Sequence, residues 1–70
     1  MAAFERRALL RDKRHTLVGE LRRRDGRPHR EINAWVNRAV GVTRVEDATL
    51  DQLERSCALL LDELTGAARR

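Results

Sequence analysis

Residues 25–41, DGRPHREINAWVNRAVG, decide the fold. Asp25-Gly26 carries a helix stop, because Gly26 suits the left-handed conformation in which helices commonly end. Pro28 stands where a first helical position belongs, and there its missing N–H leaves no extra orphan. Ile32, Trp35, Val36, Ala39 and Val40 follow at i, i+3, i+4, i+7 and i+8 and make one apolar stripe. Gly41 closes it. The spacing predicts a helix over about residues 28–40, preceded by a turn too short to hold any other element.

On the N-terminal side, Leu10, Leu17, Val18 and Leu21 recur on one helical face, which predicts a helix over about residues 4–24 that ends at the same Asp25-Gly26 stop. On the C-terminal side, VTRVEDA (42–48) has no helical period and reads as a loop that tucks Val42 and Val45 inward, with a short helical turn around Val45 as an option. Thr49 with Gln52 three residues on forms a capping box, and Asp51 suits the positive end of the helix dipole. Leu50, Leu53, Cys57, Leu60, Leu61 and Leu64 line one side of this third helix, over about 49–65, up to Gly66. The last residues, 67–70, read as a frayed basic tail. Three helices, no strand signal and no internal repeat predict a single all-α domain over residues 1–70: a compact three-helix domain or a more open three-helix arrangement. The short link between the first two helices fits either an antiparallel hairpin or a helix-turn-helix pair.

A chain of 70 residues buries only roughly 60% of its unfolded surface, so its stability is marginal. One cysteine excludes an internal disulfide, and no Cys/His set has zinc-ligand spacing. Apolar packing must therefore hold the fold, and neither cofactor nor metal is expected. No apolar run approaches the roughly 20 residues of a membrane span, and the N-terminus lacks a signal-peptide core, so no membrane partner and a cytoplasmic location are expected. Paired carboxylates at site-like spacing, a Gly-rich phosphate loop and a nucleophile–base set are all missing, which speaks against an enzyme.

Charge is the informative property. Fourteen of the fifteen basic residues are arginine, and residues 1–44 hold twelve basic residues against five acids, a formal +7, whereas residues 45–70 hold three against six, a formal −3. A GC-rich coding sequence explains arginine in place of lysine, but it does not explain this polarity. A chain so divided offers one face to a polyanion.

The densest patch is Arg22, Arg23, Arg24, Arg27 and Arg30, where the first helix meets the second. One or two cations would compensate the helix dipole, and five suit phosphate contacts that are salt-sensitive and independent of sequence. Arg6, Arg7, Arg11, Lys13 and Arg14 extend the positive surface along the first helix. On the second helix Asn33, Asn37 and Arg38 lie opposite or beside the Trp35 stripe, with His29 and Arg30 near its start. Asn and Arg are the residues that read adenine and guanine edges in a major groove. The plainer alternative is that this is a solvated face, or that the two Asn cap neighbouring loops. Trp35 reads as a core anchor, Cys57 as a small buried apolar residue, and His15 as a surface residue. Leu59, off the main stripe like Leu9, marks a candidate partner-binding patch. The leucine excess of the third helix also admits a homodimer.

Residues 29–64, HREINAWVNRAVGVTRVEDATLDQLERSCALLLDEL, carry a helix of the form INA-x-x-NR ending in GV and, after a short loop, AT-x-x-QLE at the start of the next helix. This half of the chain resembles small helical modules at the C-termini of phage antirepressors and of some actinobacterial helicases. The resemblance implies a small phage protein serving as a nucleic-acid-associated accessory. It places Asn33, Asn37 and Arg38 on the matching first helix and Thr49, Gln52, Leu53 and Glu54 on the matching second. The capping and apolar positions of the motif follow from folding alone. The expected partner is nucleic acid, duplex DNA in particular. The alternative is an acidic protein surface, met by an adaptor or inhibitor through its basic face or its Leu-rich third helix.

Overall fold

The computed structural model describes residues 2–66. The tail expected at 67–70 lies outside them. Three α-helices follow one another: α1 (Ala3–Asp25), α2 (His29–Val40) and α3 (Leu50–Thr65), with a 3-10 turn at Val45–Asp47 before α3 and no strand among the described residues. The domain is all-α, as the periodicities predict. Its radius of gyration, 11.7 Å, is close to the ~11 Å of a compact chain of this length, which decides against the open arrangement.

Each helix ends where glycine allows a left-handed residue. Gly26 (φ 83°) donates its N–H to the Arg22 carbonyl, and Gly41 (φ 80°) donates to that of Asn37. Pro28 sits one position earlier than expected, as the extended N-cap of α2 (ψ 152°), and its carbonyl accepts from Glu31 and Ile32. The capping box of α3 forms as expected: the Gln52 N–H donates to Thr49 Oγ1 at 3.1 Å, and the Thr49 N–H donates to Gln52 Oε1 at 2.9 Å. The Gln52 side-chain amide also donates to the carbonyls of Val40 and Gly41. One side chain thus starts α3 and caps the C-terminus of α2.

α2 folds back along α1, so that Asn33 and Asn37 lie against Arg14 and the short link forms a hairpin. α3 then runs in the same sense as α1, since the contacts Arg6–Glu54, Leu10–Cys57 and Arg24–Leu64 advance together along both helices. The core gathers Leu10, Leu17, Val18 and Leu21 of α1, Ile32 and Val36 of α2, Ala48, and Leu53, Cys57 and Leu60 of α3. Trp35, Val42, Val45, Leu50 and Leu64 pack against it half-buried, so Val42 and Val45 do turn inward. Two stripe positions fall elsewhere: Ala39 and Leu61 are exposed, while Leu59 is half-buried. Much of the leucine excess that suggested a homodimer is therefore absorbed within the chain.

Arg14 overturns an expectation. It is not part of the positive surface but lies in the interior, 1% exposed. Its Nη1 donates to Ser56 Oγ on α3 at 3.3 Å, and its Nη2 donates to the Asn33 carbonyl, to Asn33 Oδ1 and to Asn37 Oδ1, the last at 2.5 Å. The physical reason is position, because Arg14 stands four residues after Leu10 and three before Leu17, on the apolar stripe itself. A planar fork of donors is what allows a cation to serve two helices at once.

Candidate nucleic-acid interface

The arginines at the α1–α2 junction divide by what they touch. Arg22 and Arg23 close α1 with exposed side chains, and Arg30 opens α2 equally exposed. None of the three has a carboxylate within ion-pair distance among the described residues. Arg24 instead turns toward the end of α3, where its Nη1 donates to the Leu64 carbonyl and, at 3.4 Å, to that of Glu63. These are orphan carbonyls of a helix C-terminus, which carries partial negative charge. Arg27 Nε donates to Asp25 Oδ2 at 2.5 Å, and its guanidinium lies 5.6 Å from the centre of the Trp35 ring, a cation–π distance. Of the five arginines read from the sequence, Arg22, Arg23 and Arg30 thus leave their side chains open to solvent, and Arg24 and Arg27 are tied into the fold.

Arg30, Asn33, Asn37 and Arg38 also come together. They line an open groove of about 480 Å³ between α2 and the following loop, with Ala34, Val42 and Thr43. Arg30 and Arg38 are exposed, whereas Asn33 and Asn37 are half-buried. Bidentate reading of an adenine edge uses both ends of a carboxamide. Here the oxygen of each Asn already accepts from Arg14, and Asn37 Nδ2 donates to the Thr43 carbonyl at 3.3 Å. Asn37 therefore caps the loop after α2, the plainer of the two sequence-based alternatives for that residue. Among the described residues the groove's two arginines have no hydrogen-bond or ion-pair partner, and their guanidinium donors suit phosphate.

Arg14 underlies this face with its charge uncompensated. No carboxylate lies within ion-pair distance of it among the described residues, and its Nε is buried without a partner. Burial pulls the guanidinium's pKa below the ordinary arginine value, with the nearby Cys57 opposing, but an arginine stays protonated regardless. A cation surrounded by neutral acceptors keeps its field, and the low-dielectric interior carries that field to the adjacent surface.

Cys57 is buried, as expected, and lies 3.7 Å from the Leu10 carbonyl as a weak S–H donor. Burial raises its thiol pKa, with Lys13 and Arg14 opposing, so it lacks the thiolate character of a nucleophile. No group of three or more His, Cys, Asp or Glu among the described residues is placed to hold a metal ion, and no helix among them is long and apolar enough to cross a membrane. Of the residues that matter at this face, Arg14 and Ser56 escape a reading based on residue type, although both stand on apolar stripes. Comparison with protein families, with curated proteins and with solved structures returns no match.

Proposed function

We propose that this protein is a non-enzymatic nucleic-acid-binding protein that grips the backbone phosphates of duplex DNA with the arginines of the α1–α2 junction. The observation that carries this reading is the exposure of Arg22, Arg23 and Arg30 around one short turn with no acid paired to them among the described residues. Some exposed arginines elsewhere do have an acid partner, as in Arg6–Glu54 and Arg55–Asp51. Arg38 extends the positive line along α2, and Arg24 and Arg27 add field from fixed positions. Binding of this kind depends on charge and shape and is indifferent to sequence, in keeping with Asn33 and Asn37 being engaged inward. The likeness of residues 29–64 to phage and actinobacterial modules suggests DNA metabolism as the setting.

Fluorescence anisotropy of a labelled random-sequence duplex tests the proposal. Affinity should fall steeply between 50 and 200 mM salt, with a log–log slope of about −0.9 for each phosphate contacted and at least three contacts. Absence of binding at the lower salt would rule the reading out.

One observation favours a second reading. Phe4 (67% exposed), Leu9 (54%) and Leu61 (39%) leave large apolar surface on α1 and α3. An adaptor or inhibitor docking on a protein would use such residues, with half-buried Leu59 at the edge, and its binding to that protein would survive nuclease treatment.

A further inference from the structure

Gly19 stands in the middle of α1, where glycine is the least favourable residue after proline. Nothing in the fold asks for it. Its backbone is not left-handed, and a Cβ built there would meet only Arg23 Nη1 at 3.8 Å and His29 Nε2 at 3.9 Å, ordinary contact distances. The missing side chain leaves a bare floor between a guanidinium and an imidazole. Beside it, the rings of His15 and His29 meet edge to face across the α1–α2 seam, with centroids 5.8 Å apart and planes at 68°. Next to His15 lies a small pocket of about 110 Å³ lined by Arg11, Arg14, Asn33 and Val45.

These residues are in line. Arg11, His15, Gly19 and Arg23 follow at steps of four and form one row along α1, about 18 Å long at 1.5 Å per residue. His29 and Asn33 flank it from α2. No carboxylate pairs with Arg11, His15, Arg23 or His29 among the described residues, and the uncompensated charge of Arg14 lies beneath.

We propose that this seam is a phosphodiester-binding cleft. Arg23 and His29 hold one phosphate over Gly19, Arg11 and His15 hold the next stretch of backbone, and the bound strand runs along α1. The proposal rests on the nucleic-acid reading and gives it a location and direction. Guanidinium and imidazole N–H groups are the donors a phosphate takes up, and an anion bridging Arg23 Nη1 and His29 Nε2 occupies the space a side chain at 19 would fill. The cleft reads no base.

Duplex binding is measured for the wild-type chain, Gly19→Leu, Gly19→Ala and the His15→Ala/His29→Ala double variant, with Arg55→Ala, on α3 and paired with Asp51, as a control. Both Gly19 variants should keep or raise the melting temperature, since each improves helix propensity. Gly19→Leu should weaken duplex binding at least fivefold. The double histidine variant should weaken it about tenfold through the two lost imidazole donors. Arg55→Ala should change little. Wild-type binding with all folded variants equal to it overturns the cleft and leaves the arginine junction standing, whereas a wild-type chain that binds no duplex removes both. The histidine ring resonances, followed by NMR against chloride of matched ionic strength, should move with duplex. Movement with inorganic phosphate alone would make this a small-anion site and overturn the diester assignment.

Discussion

Arg14 and the arginines of the α1–α2 junction are the same side chain in opposite situations. Arg14 is 1% exposed and donates to Ser56, Asn33 and Asn37, whereas Arg22, Arg23 and Arg30 are exposed and form no ion pair among the described residues. The difference shows that a count of positive charge mixes two roles. A buried guanidinium organises three helices through its geometry, and an exposed one supplies charge to whatever arrives. The first should appear in stability and the second in salt-dependent binding.

The sharpest contrast is in stability. Arg14→Ala should lower it by roughly 3 kcal/mol, because it opens a cavity and strands the acceptors of Asn33 and Asn37. At about 4–8 °C per kcal/mol for a domain of this size, thermal denaturation followed by circular dichroism resolves that easily. Arg14→Lys keeps the charge but loses the fork and should recover only part of it. Arg22→Ala, by contrast, should stay within about 0.5 kcal/mol of wild type. Equal effects at positions 14 and 22 would erase the distinction.

Asn37→Ala comes next, with a loss of about 1–2 kcal/mol, since it removes one acceptor of the Arg14 guanidinium and uncaps the Thr43 carbonyl. If Asn37 instead read bases, this variant would change discrimination between duplex sequences and leave the melting temperature in place. Arg24→Ala is predicted to fall between the classes. It should cost about 0.5–1 kcal/mol through the carbonyls at the end of α3 and also weaken binding modestly.

The smallest effect concerns Cys57, next to Arg14 in the core. Its raised thiol pKa keeps it protonated, and the associated stability is fully present below its ordinary value near 9.0 and is lost as pH climbs through the raised one. The melting temperature should decline slightly above about pH 9, and Cys57→Ala should remove that part of the decline. In the native state at neutral pH a thiol reagent should react slowly, at a rate limited by opening of the core.

Much of the fold was legible in the residues. Gly26, Gly41 and Gly66, the Thr49–Gln52 box and the stripe through Ile32 and Val36 mark the three helices to within a residue or so. Arg14 was hidden by its type, since arginine is rarely buried, although its place between Leu10 and Leu17 was in plain view. Asn33 and Asn37 share a face by their spacing, yet that face is turned toward a neighbour only once α2 folds back on α1. Leu59 and Leu61 exchanged their expected exposures because residues at the border of an apolar face differ by a modest helical rotation, and the direction from which α1 packs fixes that phase. The arginine junction was readable as a cluster; which members remain open depended on where the end of α3 came to rest.

The most direct test of the division is the salt dependence of duplex binding by the Arg22→Ala/Arg23→Ala/Arg30→Ala variant, set beside its melting temperature. The log–log slope should flatten by up to about 2.7, with affinity lower by one to two orders of magnitude near 100 mM salt and the melting temperature nearly unchanged. A folded variant that binds duplex with the wild-type affinity and slope would contradict the assignment of these arginines to nucleic acid.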